Sequence, residues 1–371
     1  MDSALNSLII LLLNMNFTSQ FPILNNCTYL NTAYSGLLST GLADWRRNHD
    51  QQFVETGSNF RLEHHLLLEE TRKEVANLFG SDLANTYLVQ NFSIGFNTLL
   101  NGLDKPHRFL LLKEDYPSVN YPIKSSGFEF TEVSIDENLE EQLLARIKEF
   151  KPTVFAFSIV QYISGIRISP TFIKKLKADF PDLLIIGDAT QFMGTTMFDF
   201  NSSGFDAVLG SGYKWLMAGF GNGYALLSNQ IKDALFVHKK NHPLPESPFL
   251  AGKDHLLLTF EPGHQDTLNF GSLNQSLKYI NSIGLKVISE MAQQISEQAR
   301  VALYERGLLS DALYSRQTQS TILSLALNTE TVKRLEAAKI LCSARGAGTR
   351  FSFHFYNNQN DLDKLLDVID K

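Results

Sequence analysis

Seven short strand-like runs, most of them apolar along their whole length, constrain this chain more than any other feature: Tyr87–Val89, Phe109–Leu112, Phe128–Val133, Val154–Ser158, Leu183–Gly187, Ala207–Gly210 and Gly223–Leu227. Strands that are apolar along their whole length are covered on both faces, the condition of a parallel sheet between helices. The helices are there in the spacing of Ser93–Leu103, Val119–Ser125, Leu139–Phe150 and Phe172–Phe180. The pattern predicts an α/β fold with a mostly parallel seven-stranded sheet and helices on both faces. Gly219–Tyr224 is too short for a crossover helix, so Tyr224–Leu227 is expected to run antiparallel to its neighbour.

Outside this block, Cys27–Asn31 reads as a short strand, and Leu38–Glu55 and Arg61–Phe79 as helices. Residues 238–270 are rich in Pro, His and Gly and read as an irregular loop bordering the site or a partner chain. One long helix is expected over Leu277–Arg306. Beyond it, Thr321–Leu327 and Thr349–Phe355 read as strands, and Val332–Lys339 and Asp361–Ile369 as helices, making a smaller C-terminal α/β domain. At 371 residues the chain exceeds what one core supports. The expected division is an N-terminal extension or arm over 1–28, a large cofactor-binding domain over 29–270, and a connecting helix with the small domain over 271–371. Residues 1–14 read as an amphipathic or disordered extension, with Met15 the more natural opening. The apolar run within Ser7–Leu13 is too short to span a membrane.

Charge narrows the function. A net charge of -6, from 33 basic and 39 acidic residues, supplies no field for nucleic acid or acidic lipid. Two cysteines, Cys27 and Cys342, make neither a disulfide framework nor a zinc site. Nine histidines show no metal-ligand spacing. A cytoplasmic enzyme acting on small molecules is the expectation, with no metal.

The chemistry gathers where apolar runs end. Asp188 closes one and Lys214 follows another, with Gln191 and Ser211 beside them. Open parallel sheets hold ligands at these carboxyl ends. Alone, Asp188 reads as a loop cap and Lys214 as a surface lysine. Together they suit pyridoxal phosphate, whose aldehyde forms a Schiff base with lysine and whose ring nitrogen pairs with an acid. In Gln90-Asn-Phe-Ser-Ile-Gly, a helix opens directly after a strand. Its first-turn amides at Phe92 and Ser93, with the Ser93 hydroxyl, form an anion site; Ser93 read as a simple N-cap is compatible with that. Ser211 and Tyr213 offer further hydroxyls. Tyr116, following the Phe109–Leu112 strand, is placed to stack on the cofactor ring. Arg350 can hold a substrate carboxylate with two parallel hydrogen bonds.

In order along the chain, Tyr29-Leu-Asn-Thr-Ala-Tyr-Ser-Gly, Asn91-Phe-Ser-Ile-Gly-Phe-Asn, Gly187-Asp-Ala-Thr-Gln, Ser211-Gly-Tyr-Lys-Trp, Glu261-Pro-Gly-His-Gln-Asp and Arg350-Phe-Ser-Phe-His-Phe-Tyr-Asn resemble segments of the class V aminotransferases. That is the fold-type I pyridoxal-phosphate group that includes cysteine desulfurases. The resemblance implies Asp188 on the pyridine nitrogen, Gln191 on the ring oxygen, Lys214 on the aldehyde and Arg350 on the substrate carboxylate. It implies a homodimer in which the His264 loop reaches the neighbouring subunit's cofactor. Departures are visible too. Tyr213 precedes the lysine where histidine is common, and Tyr116 takes the stacking position where histidine is frequent. Ser343-Ala-Arg-Gly-Ala-Gly-Thr, before Arg350, carries no persulfide cysteine, and Cys27 and Cys342 read as small core residues. The expectation is an aminotransferase acting on an amino acid. Cysteine desulfurase or selenocysteine lyase-type β-elimination is the alternative, and a non-catalytic binding protein retaining the fold is the alternative from another class.

Overall fold

The computed structural model describes residues 17–103 and 106–371, so the expected extension over residues 1–14 lies outside it. Twelve strands are present among the described residues: β1 (Thr28–Tyr29), β2 (Thr86–Val89), β3 (Arg108–Leu112), β4 (Glu129–Val133), β5 (Val154–Ser158), β6 (Leu184–Asp188), β7 (Ala207–Ser211), β8 (Gly223–Leu227), β9 (Ile322–Leu325), β10 (Ile340–Leu341), β11 (Ser343–Arg345) and β12 (Gly348–Ser352). Seven of them form the central sheet in the order β2-β8-β7-β6-β5-β3-β4. All neighbours are parallel except at β8, which runs antiparallel to both β7 and β2. The short segment 212–222 cannot carry a crossover, which leaves β8 the one reversed strand.

Alternation along each strand divides the core in two. Phe155, Phe157, Ile185 and Val208 face helices Leu67–Phe79, Leu139–Phe150, Pro170–Asp179 and Thr267–Ile283. Val154, Ala156, Ile186 and Leu209 face the other way, toward helices Phe92–Gly102, Pro117–Ser125 and His255–Phe260. Both faces are therefore covered, and the carboxyl ends of β3, β5, β6 and β7 open together at one rim.

The C-terminal region has its own three-stranded antiparallel sheet, in the order β11-β12-β9. A separate cluster, including Leu323, Leu335, Phe351 and Leu365, packs around it. β1 pairs with β10 in this region, Thr28 opposite Ile340, rather than with the seven-stranded sheet. The described end of the N-terminal arm is also packed down. Phe17 and Phe21 are buried, and their rings meet Phe355 edge-on at 5.0 and 6.3 Å.

Two expected helices are divided. The run expected over Leu277–Arg306 begins earlier and breaks once, giving Thr267–Ile283 and Leu285–Glu305. Asp266 caps the first by accepting the Asn269 amide at 2.9 Å. Gly284, at φ +94°, stops it in a conformation that side chains rarely adopt. The segment expected over Arg61–Phe79 is interrupted at 64–66. There His64 and His65 place ring nitrogens on the carbonyls of Phe60 and Leu62. The region 238–270, expected to be irregular, contains the short helix His255–Phe260, capped by Asp254 through the Leu257 amide at 2.7 Å.

One glycine ties the N-terminal loop to the rim of the sheet. The Gly36 amide donates to the Tyr213 carbonyl at 2.8 Å, and a Cβ on Gly36 would lie 1.9 Å from the Lys214 carbonyl oxygen. Because that obstacle is backbone, Gly36→Ala is expected to destabilise the protein by roughly 1–3 kcal/mol through forced displacement. Thermal melting of the two proteins measures this, and an unchanged melting temperature would mean the approach is not tight.

Candidate active site

The buried strands end in polar residues, and those residues meet. Asp188 is the last residue of β6 and Ser211 the last of β7. Lys214 follows β7 in a tight turn where the Met217 amide donates to the Lys214 carbonyl at 3.0 Å. Met217 is held at φ +54°, a strained setting for a residue with a side chain. Buried Asn222 steadies the turn by donating to the Ala218 and Gly219 carbonyls at 3.0 and 3.3 Å.

Asp188 and Lys214 are both buried, and burial governs both. It pushes the Asp188 carboxyl up to about 6, against the Thr190 amide and Lys214, which favour the carboxylate; Asp115 adds to the rise. Burial likewise lowers the Lys214 amine to about 8, opposed by Asp188 and assisted by Arg350 and Arg345. The Asp188 carboxylate is aimed by the Thr190 amide at 2.9 Å. Lys214 Nζ lies 5.9 Å from the Tyr116 ring centroid and 5.5 Å from that of Tyr213.

Phe92, Ser93, Tyr116, Asp188, Gln191, Ser211, Tyr213 and Lys214 line one cleft of about 430 Å³. The corner expected to hold an anion is the start of helix Phe92–Gly102. The Phe92 amide donates to Ser211 Oγ at 2.9 Å, and the Ser93 hydroxyl meets Ser118 at 2.8 Å. The N-cap is Asn91, not Ser93: Asn91 Oδ1 accepts the Ile94 amide at 2.9 Å. Gln191 is fixed at both ends of its amide, Nε2 donating to the Ala33 carbonyl at 2.8 Å and Oε1 accepting from Trp215 Nε1 at 2.9 Å.

Arg350, on β12, stands beside the cleft. Its Nη1 donates to the carbonyl of Tyr162, a residue of the cleft wall, at 2.5 Å, while its buried Nε has no partner. Burial, with Arg345 nearby, lowers it to about 10. A buried guanidinium edge without an acceptor suits an incoming carboxylate. His264 is not brought in: it is exposed on the loop over residues 261–266, away from this chain's cleft wall. Glu261 anchors the start of that loop, accepting the Leu88 amide at 2.8 Å and pairing with Arg72 at 2.6 Å.

Asp115 and Arg345 were not singled out from the sequence, whereas Tyr162 was expected to lie on a specificity loop. Asp115 is buried and accepts the amides of Tyr116 at 2.6 Å and Ser158 at 2.7 Å, which fixes the Tyr116 loop to the end of β5. Only burial separates it from its exposed neighbour Glu114. Tyr162 meets the Tyr116 ring edge-on at 5.3 Å. Arg345 lies over the Tyr34 ring at 5.1 Å and adds positive charge near Lys214 and Arg350. The two thiols lie elsewhere. Cys342 is partly buried against the C-terminal cluster and raised to about 11, burial first and Glu336 second. Cys27 is raised as well, chiefly by burial.

An amine made more nucleophilic by burial, an acid beside it, hydroxyls at a helix start and a tyrosine over the amine fit pyridoxal phosphate. This combination at the carboxyl ends of a parallel sheet defines a fold-type I pyridoxal-phosphate enzyme. Comparison with known proteins agrees. The family model "Aminotransferase class-V" matches residues 43–365. A probable cysteine desulfurase of Ureaplasma parvum is 25% identical, covering 88% of each chain, and an uncharacterised aminotransferase of Bacillus subtilis is 21% identical, covering 94% of this chain and 95% of its own. Among solved structures, the cystine C-S lyase C-DES superimposes with a TM-score of 0.82 at 18% identity over 95% of this chain and 99% of its own. The apo cysteine desulfurase of Thermococcus onnurineus gives 0.79 at 17% over 95% and 96%. The chain belongs to the class V aminotransferase family.

Two outcomes follow from the buried pair. Covalent capture of pyridoxal phosphate needs the neutral Lys214 amine. The rate of reconstitution should therefore rise about tenfold per pH unit below about 8 and level off above it; a flat profile from pH 6 to 9 would contradict the assignment. Asp188→Asn should still take up the cofactor but turn over about 100-fold or more slowly, as expected when a preorganised charge is removed. Cofactor absorbance and steady-state rates measure both.

Proposed function

We propose that this enzyme is an aminotransferase that moves the amino group of an amino acid to a 2-oxo acid. Pyridoxal phosphate, when bound, supplies an aldehyde that captures amines and a ring that withdraws electrons from the substrate's alpha carbon. Lys214 holds the cofactor and, once released by the incoming amine, carries the proton between the alpha carbon and its destination. Asp188 holds the ring nitrogen in its protonated form, which burial alone would oppose for a cation and an adjacent carboxylate favours. The Phe92 and Ser93 turn with Ser211 holds the phosphate, Tyr116 covers the ring, and Gln191 serves the ring oxygen. Arg350 takes the substrate carboxylate. His264 serves the cleft of the second subunit of a homodimer. Exposed apolar side chains at the cleft, Ile94 at 47% and Phe220 at 67%, support burial of this rim against another copy. Two unpaired cysteines suit a cytoplasmic setting.

The absence of a usable thiol at the cleft, among the described residues, carries the choice of transamination over sulfur transfer. The β11–β12 hairpin turns through Gly346 and Ala347 alone, so no loop extends from it toward Lys214. The nearest cysteine in sequence, Cys342, is poor in thiolate at neutral pH. The desulfurase names of relatives favour β-elimination as the second reading.

Incubation with a panel of amino acids and 2-oxo acids, and separately with cysteine, tests this. Amino-group exchange without sulfide release is expected. Sulfide with pyruvate and ammonia, the products of β-elimination from cysteine, persisting in Cys342→Ser, would replace the proposal with the lyase reading. If the wild type takes up no cofactor, or Lys214→Ala keeps the same visible band, neither reading stands. Arg350→Met should raise KM for amino acids by at least about tenfold. Sedimentation velocity should give a dimer.

A further inference from the structure

The end of β5, with helix Pro170–Asp179 and the segment after β6, borders a second cavity on the face opposite the catalytic cleft. Ser158 and Val160 line the cleft, while Phe157 and Ile159, alternating with them, line a separate cavity of about 320 Å³. Ile173, Phe192 and Phe205 complete an apolar wall, all of them buried. A volume near 300 Å³ lies at the lower end of sites that enclose small organic ligands.

One charged group breaks this wall. Arg167 follows the end of β5 and is held by a bridge to Val160. Its guanidinium carbon lies 4.7 Å from the centroid of the Phe192 ring, and its Nε is buried without a hydrogen-bond partner. No carboxylate pairs with its side chain among the described residues, and burial lowers it to about 10. Lys174 stands at the same mouth. The single acid there, Asp199, is exposed and accepts the Ser202 amide at 2.8 Å. Arg167 is half-buried and also borders a neighbouring polar pocket that holds Glu290 and Glu297, neither paired with it, so its charge is only partly compensated and an anion in the apolar cavity would complete it. A ring contact offsets part of that cost but leaves the Nε donor unused. What would satisfy the whole cavity is a negative head for Arg167 and a hydrocarbon body for the phenylalanines.

We propose that this cavity is a binding site for a small amphipathic carboxylate, its acid group on Arg167 and its alkyl or aryl body among Phe157, Phe192 and Phe205. The site is distinct from the catalytic cleft and does not depend on which reaction occurs there.

Calorimetry on the cofactor-loaded enzyme tests it with octanoate and its neutral isostere octanamide. Octanoate is expected to bind saturably, one per chain, at least about tenfold more tightly than octanamide. Arg167→Met should abolish that preference, and Lys174→Glu, an exposed change that folding tolerates, should weaken octanoate selectively. A tryptophan introduced by Met197→Trp at the cavity mouth should change fluorescence with octanoate. Equal binding of acid and amide, or no binding at millimolar concentration, overturns the proposal in the wild type, whether or not Arg167→Met folds. Octanoate binding lost in Arg350→Met but kept in Arg167→Met would put the ligand in the catalytic cleft and also overturn it.

Discussion

Two ionisable groups of opposite sign, buried at the ends of adjacent parallel strands, are the constraint on which the rest of the site depends. Asp188 and Lys214 each lose hydration by entering the sheet's rim, and each is drawn toward its neutral form. Their mutual attraction and the Thr190 amide offset part of that loss. An acid and an amine near their titration points can exchange protons with a bound cofactor and substrate at neutral pH. Everything packed around them fixes positions: Asn222 under the Lys214 turn, Asp115 between β3 and β5, and Trp215 against Gln191. The N-terminal loop passes over the same turn, at Gly36 and Ala33, and then joins the C-terminal region through β1. The site is therefore assembled from both ends of the sequence.

The strand-end residues were legible because a parallel strand writes its burial into the sequence. A continuous apolar run followed by a single polar residue marks both the strand and the place where its chemistry emerges, as at Leu183 to Asp188. The reversed β8 was equally legible from the length of the preceding loop. Long-range partners were not. Nothing local in Thr28–Tyr29 says that it pairs with Ile340–Leu341, and nothing in Glu114–Asp115 says which acid turns inward. Helix ends failed for a different reason. Spacing carried the expected helix straight through Gly284, whereas backbone sterics at that one residue divided it, and Asp266 opened the first piece earlier than its apolar pattern suggested.

Specificity between reactions lies in the surroundings rather than the pair. A compact β11–β12 hairpin carries Arg345 and Arg350 beside the cleft, and among the described residues no cysteine lines it. The hairpin thus concentrates positive charge beside the cleft. That charge also helps keep the Lys214 amine low, so the hairpin influences the reactive group as well as the substrate.

The proposed roles all rest on Lys214, and no other lysine, holding the cofactor. Borohydride reduction of the pyridoxal-phosphate-loaded protein, followed by peptide mass mapping, tests it most directly. One permanent pyridoxyl-phosphate addition is expected, on the peptide containing Lys214. An addition on a different lysine, or none on a protein reconstituted with excess cofactor, would contradict it.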